Sequence, residues 1–370
     1  GGVPSGIDAA ASFLSDITAD RTITVNSNET VGAITFDNSH RYTLAGSGRL
    51  TLQRTVGSAL INDINGSHTI SAPLTFASNT SITVNSAVDT LSLTGNITTS
   101  GHTLTKSGAG VLTISGSQAH STGSAISVSA GTLNLNSNAG SSTSALLNLT
   151  ASSGTINFGS RQDLASLSLG GANAYVKTTG DHVFTHSLSM SNGSTIDLSS
   201  NDLIIDYTGA SPYLQIRSDL FAGYNDNKWN GGGIFSSAAG ANSKHNTALA
   251  YDEASDLYGL IGSGTTHVDG ETVDSTTIVI KYTWIGDLNM DGFVTATDFN
   301  WMSPVGTTNA GWANGDFNYD GIVNADDYAL FQLGLAESGG QNISTVVPEP
   351  ATLAILIGNA LICSSRRRNR

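Results

Sequence analysis

Two stretches near the C-terminal end carry oxygen-bearing side chains at a spacing that can hold a hard cation. Asp287-Leu-Asn-Met-Asp-Gly-Phe-Val-Thr-Ala-Thr-Asp298 and Asp316-Phe-Asn-Tyr-Asp-Gly-Ile-Val-Asn-Ala-Asp-Asp327 place them at positions 1, 3, 5, 9 and 12 of a twelve-residue loop, with Gly at position 6. Calcium takes roughly six to eight oxygens in a flexible shell. The first loop offers Asp287, Asn289, Asp291, the carbonyl of Phe293, Thr295 and Asp298. The second offers Asp316, Asn318, Asp320, the carbonyl of Ile322, Asn324 and Asp327. The pattern therefore predicts two calcium sites, with Gly292 and Gly321 supplying the positive φ of the sharp turn. Val294 and Val323 share position 8, where paired loops form a short β-bridge, so the two loops are expected to face each other. The closing ligand is Asp rather than the longer Glu, and a bidentate grip needs a closer approach of the chain.

Charge agrees with this chemistry. No Lys or Arg lies between Lys281 and Arg366, while nine Asp and Glu do. Clustered carboxylates repel unless a cation or solvent screens them.

Each loop has the ligand order of an EF-hand-type calcium loop, and the doublet resembles the type I dockerin repeat, with Gly286 and Gly315 as the leading glycines. The resemblance implies a short helix after each loop. Phe299, Trp301 and Met302 would line the first, which Pro304 cuts short. Tyr328, Leu330, Phe331 and Leu333 would line the second, which Gly334 closes. Dockerins read a cohesin partner largely through hydroxyl residues at loop positions 10 and 11. Here those positions hold Ala296 and Thr297, then Ala325 and Asp326. The resemblance covers the calcium skeleton and not the partner-reading surface.

The elements that must carry these loops come before them. From about Thr22 to Tyr207 short apolar/polar alternations are separated by Gly, Ser, Asn and Thr. Examples are Thr22–Val25, Gly32–Phe36, Ser81–Val84, Thr90–Leu93, Gly131–Leu135, Gly154–Phe158, Ser166–Leu169 and Asp202–Asp206. Period-two alternation indicates strands with one buried face. Their monotony, small apolar residues and lack of intervening helices favour a parallel β-helix over a sandwich. Thr105-Lys-Ser-Gly-Ala-Gly-Val-Leu-Thr-Ile-Ser-Gly116 followed by Ser127–Leu135 resembles the autotransporter-associated β-strand repeat, and Tyr42–Leu52 and His68–Leu74 resemble the strands that precede it. That resemblance implies a right-handed β-helix of a large secreted or surface protein. The solenoid shows no catalytic constellation. Asp37, Asp63, Asp89, Asp163, Asp181 and Asp197 do not recur at rung spacing with a basic partner. His182 and His186 are read as one face of a strand without a third ligand, and the histidines as exposed turn or edge residues.

From about Gly209 to Thr283 the composition changes. Ser211-Pro212 opens a predicted helix closed at Gly223, Tyr224–Ile234 reads as a loop, and Thr276–Trp284 as a strand entering the first calcium loop. All four Trp fall at or after Trp229 and are read chiefly as the core of a small module, with sugar stacking as the other use. This block resembles the C-terminal portion of secreted planctomycete-type proteins. Finally, Val347-Pro-Glu-Pro-Ala-Thr352, an apolar run Leu353–Cys363 and Arg366-Arg-Arg-Asn-Arg370 resemble the PEP-CTERM sorting signal, carried by Pro348, Glu349 and Pro350. The apolar run falls short of the roughly 20 residues of a permanent span. The resemblance implies export in a Gram-negative-type bacterium, processing by an exosortase-like enzyme, and a cell-surface or matrix destination.

Composition bounds the rest. A net charge of −14 without a basic cluster before the tail argues against nucleic acid or an anionic membrane surface. The lone Cys363 cannot form a disulfide within one chain. Gly1 without an initiator Met or signal peptide reads as a fragment or a mature form. The expectation is therefore a mainly β chain: β-helix over 1–209, an α+β connector over 210–283, a calcium doublet over 284–340, and a linker with sorting tail over 341–370. The expected function is a non-enzymatic exported structural or adhesive protein with two Ca2+ sites, touching membrane only through its tail. The rival is a polysaccharide-binding or polysaccharide-degrading accessory docked to a cohesin-like or glycan partner.

Overall fold

The computed structural model describes residues 4–171, 173–191 and 193–337. The sorting tripeptide Pro348, Glu349 and Pro350, with the whole of 341–370, lies outside the described residues.

The chain is mainly β, and its first two hundred residues form a parallel β-solenoid of about nine turns. One face stacks nine strands, from Ala10–Phe13 to Leu188–Met190. A second stacks nine from Arg21–Thr24 to Thr195–Asp197 and gains a tenth, Gly233–Phe235, from the segment that follows. The third face begins as five short strands, Glu29–Val31 to Gln118–Ala119. It resumes after the 3-10 turn Ser142–Ser144 as Gln162–Leu164, Val183–Thr185 and Leu203–Asp206.

Alternation drives this arrangement because a side-chain period of two sends every other residue inward. Leu91, Leu112, Leu133, Ile156, Val176 and Ile196 stand in register as one buried ladder. Their neighbours point outward and ladder by hydrogen bonds. Asn157 Nδ2 donates to Asn134 Oδ1 at 2.9 Å, and Asn134 Nδ2 donates to Thr113 Oγ1 at 3.2 Å.

The run Lys106-Ser-Gly108 has a physical account. Lys106 stands inside the core between Ile82 and Val128. Its stem fills apolar space, and Nζ donates to the carbonyls of Ser107 at 2.8 Å, Gly108 at 2.9 Å and Ala130 at 3.2 Å. Three acceptors offset the cost of burying the ammonium, although burial still lowers its pKa to about 8. The following rung must leave room: a Cβ at Gly131 would stand 2.8 Å from Nζ and 2.4 Å from the Gly108 carbonyl oxygen.

Residues after the solenoid continue it and close its C-terminal end. Thr277–Trp284 pairs antiparallel with Leu203–Asp206, and Thr247–Glu253 pairs with Thr277–Trp284. Among the described residues five α-helices accompany them: α1 Tyr213–Tyr224, α2 Ser237–Ala241, α3 Ala254–Tyr258, α4 Ala296–Trp301 and α5 Ala325–Glu337. The predicted helix after Pro212 and the strand ending at Trp284 are both present. The third-face strands Gln162–Leu164, Val183–Thr185 and Leu203–Ile205 are buried on both faces. The alternating reading of Asp202–Asp206 is corrected accordingly: Leu203, Ile204 and Ile205 form a continuous apolar run because later segments cover the outer face. Among the described residues no helix is long and apolar enough to cross a membrane.

Candidate metal centre

The two loops have the same backbone at matching positions. Gly286 and Gly315 have φ of 94° and 96°, Met290 and Tyr319 of 58° and 65°, and Gly292 and Gly321 of 89° and 86°. Their internal hydrogen bonds repeat as well. Asp287 Oδ1 accepts from the Asp291 amide at 3.1 Å and Oδ2 from Gly292 at 2.9 Å. Asp316 does the same with Asp320 at 3.1 Å and Gly321 at 2.8 Å. Asp298 accepts from Leu288 at 3.0 Å and from the Thr295 amide at 2.9 Å. Asp327 accepts from Phe317 at 2.8 Å and Asn324 at 2.9 Å. In each loop the position-3 Asn accepts from the position-5 amide at 3.0 Å and donates its own amide to the position-5 carboxylate. Main-chain amides hold these side chains in the same order twice.

The four Asp at positions 1 and 12 are fully buried. Burial pushes the Asp287 carboxyl up to about 6 and that of Asp316 up to about 7, and it raises Asp327. Among the described residues no group of three or more His, Cys, Asp and Glu side chains forms a ready metal cluster. Each loop carries three carboxylates, held by main-chain amides rather than gathered on one point, and its other candidate oxygens are those of Asn, Thr and a main-chain carbonyl. That mixed all-oxygen set suits a hard cation and not a soft one. The residues present fit calcium by donor chemistry. A bound ion would supply the positive charge that buried Asp287, Asp298, Asp316 and Asp327 lack from one another.

Val323 donates its amide to Thr307 and accepts from Gly306, and Ile322 bridges Thr308. Position 8 of the second loop is thus spent on the linker between the helices rather than on the expected bridge to Val294. Gly334 does not close the second helix, which runs on to Glu337. It lies inside α5, and glycine is needed there because a Cβ would stand 1.6 Å from the Ile285 carbonyl oxygen. Trp301 does not line a helix interface: it is 48 % exposed. Phe299 packs on Phe331 with ring centroids 5.6 Å apart.

The loops are rooted in the segment before them. Trp312 is fully buried and donates Nε1 to the Asp287 carbonyl at 2.7 Å. The Tyr319 hydroxyl donates to the Leu249 carbonyl at 2.9 Å, and Ala313 donates its amide to Asp252 at 3.1 Å. Trp229, Tyr224, Tyr251, Tyr319 and Trp312 form one aromatic cluster. Trp229 and Trp312 therefore serve the core, as the composition suggested.

Two ionic clusters escaped sequence reasoning. Asp63 points into the solenoid, buried, with neither carboxylate oxygen hydrogen-bonded. Burial and the charge of Asp89 push it up to about 7. His68 Nε2 lies 3.8 Å away, but that nitrogen meets the Asn65 carbonyl at 3.0 Å and Nδ1 accepts from the Tyr42 amide. Elsewhere Glu271 reaches His182 Nε2 at 3.0 Å and Arg161 Nη1 at 3.1 Å, and Arg161 Nε reaches Asp163 at 3.1 Å. Glu271 sits on the hairpin Thr265–Val268/Glu271–Asp274, 89 residues from His182, so spacing could not reveal it. His68 and His182 are buried, not exposed turn residues. His182 and His186 do not share a strand face either. The strand between them is only Val183–Thr185, and His186 turns to Asp206 at 3.2 Å, which raises its pKa.

No protein-family model, curated protein or solved structure matches the chain.

Proposed function

We propose that this chain is an exported cell-surface or matrix protein with a structural or adhesive role. The solenoid is its spacer, and two Ca2+ ions bound by Asp287–Asp298 and Asp316–Asp327 clasp its C-terminal end. The observation that carries the reading is the duplicated loop, the same in backbone torsions and in amide-to-carboxylate bonds. A clasp fits better than a free docking domain because Tyr319 ties the second loop to Leu249 and Ala313 ties the turn between the loops to Asp252, both on the strand Thr247–Glu253, while Trp312 joins that turn to the first loop. Calcium would neutralise carboxylates that the fold has removed from water, so binding would stabilise the closed end. The β-helix itself is compatible with structural, adhesive and carbohydrate-related roles.

Export, sorting through Pro348–Glu349–Pro350 and processing by an exosortase-like enzyme belong to the same proposal and rest on the tail sequence alone. A cohesin-like partner is the lesser reading, since Ala296 and Ala325 offer no hydroxyl at loop position 10.

Calorimetric titration of the full chain should find about two calcium ions. Asp287→Ala and Asp316→Ala should each remove one, and the thermal midpoint should rise with calcium in the parent chain. An unchanged midpoint together with no heat of binding would defeat the assignment.

A further inference from the structure

A cleft of about 740 Å³ opens where the calcium doublet meets the strand Thr247–Glu253 and α3. Its walls include Tyr213, Asp252, Glu253, Asp256, Trp301 and Asn309. The volume lies within the range of sites built for small ligands, about 300–1,000 Å³.

Three properties point to one chemistry. First, Trp301 is the tryptophan left half-exposed while Trp229 and Trp312 are buried, and it stands at the cleft wall. An indole held partly in water at a concave wall offers a flat apolar face, suited to the C–H face of a pyranose or to a cation. Second, Asp256 and Glu253 face the cleft beside the buried Asp252, whose oxygens accept the Glu253 and Ala313 amides and whose carboxyl burial pushes up to about 7, and among the described residues none of the lining side chains is basic. Asp256 is exposed, so its oxygens are open to solvent and to a ligand. Glu253 is held in place by the hydroxyls of Tyr207, at 3.1 and 3.0 Å, and of Ser211. That field attracts ammonium groups and repels uronates and sulfated sugars. Third, Asn309 and Asn314 add side-chain amides to the wall, and Asn314 Oδ1 is already fixed by the Gly311 amide at 3.1 Å. Hydroxyl-rich ligands need that mixture of donors and acceptors.

We propose that this cleft binds a glycan of amino sugars, with Trp301 stacked on a sugar ring and Asp256 and Glu253 facing its ammonium groups. The site lies outside the calcium loops but is joined to the first of them. Trp301 is the last residue of α4, and α4 is started by Thr295 and Asp298 through a capping box. Those two residues close the first loop, so its occupancy sets the helix that carries the indole. This coupling rests on the calcium reading, whereas the cleft itself does not.

The test uses the full chain, with calcium and with chelator, and four probes: a glucosamine hexamer, its N-acetylated form, a galacturonate oligomer and a Lys-rich peptide. Binding is followed by calorimetry and by tryptophan fluorescence. The glucosamine hexamer should bind best and the galacturonate not at all. Trp301→Ala should weaken binding roughly tenfold, and Asp256→Asn severalfold, with unchanged melting and calcium stoichiometry. Removing calcium should weaken the hexamer further. Failure of the hexamer to bind a chain that still takes two calcium ions overturns this inference and leaves the calcium reading intact. So does equal binding by Trp301→Ala, or a Lys-rich peptide that binds as well as the hexamer. A hexamer that binds a chain showing no calcium heat overturns the coupling and the calcium reading, and leaves the cleft.

Discussion

Asp63 is a buried carboxyl without a hydrogen-bond partner in the solenoid core, so its contribution to stability changes with pH in a definite direction. Its carboxyl faces the core between Phe36 and Val84 of the adjoining rungs, and neither oxygen is hydrogen-bonded. Its folded pKa is about 7 against 3.8 for a free Asp. A raised folded pKa means that the folded chain holds a proton the unfolded chain has already lost. Stability from this group is therefore complete below about pH 4 and is lost as the pH climbs toward 7. A shift from 3.8 to about 7 corresponds to roughly 4 kcal/mol, on an order-of-magnitude scale. Asp63→Val replaces the acid with the residue type found at Val84, and Asp63→Asn keeps the shape without the charge. Chemical denaturation should show the parent losing about 2 kcal/mol between pH 5.5 and 7.5 relative to either variant, near 1.4 kcal/mol per pH unit until the curve flattens. Asp63→Val should also be the more stable protein at pH 7.5, because it removes an unsatisfied buried polar group. Parallel pH profiles for all three proteins would refute the reasoning, and so would a Val variant weaker than the parent at pH 7.5.

Two further perturbations probe the closed end. Gly334→Ala should cost more than about 2 kcal/mol and lower calcium affinity in the first loop, since the added methyl would push α5 off the Ile285 carbonyl; thermal melts and calorimetry read both, and a neutral result would mean that α5 docks otherwise. Glu271→Gln should loosen the hairpin that Arg161 and His182 hold, at a cost of about 1–2 kcal/mol, since Glu271 is buried while Arg161 stays partly in water and is screened. Limited proteolysis should then cut within residues 265–274, and protection equal to that of the parent would exclude the latch.

Much of the architecture was legible along the chain because a solenoid rung is a local object. Strands such as Ser166–Leu169 and Gly154–Phe158 announce themselves by alternation, and the next rung only repeats the pattern. Legibility failed where a residue's partner lay far away in sequence. The run Leu203–Ile205 is buried on both faces although it sits in a chain of alternating strands, because segments beyond the solenoid cover its outer side. Gly334 resembled a helix stop, since the carbonyl it must admit belongs to Ile285.

The same division holds at the two acidic loops. Local spacing sufficed for the oxygen ladder from Asp287 to Asp298 and from Asp316 to Asp327, because a twelve-residue loop folds around its own amides. Tertiary structure decided what the loops are attached to. Val323 pairs with the inter-helix linker, Trp312 grips the Asp287 carbonyl, and Trp301 is turned toward a cleft walled by the distant Asp252–Asp256 segment. Periodicity and ligand order are written within a few residues of chain. Burial, close approach and a shared cavity depend on which distant segments meet, and only the packed molecule brings them together.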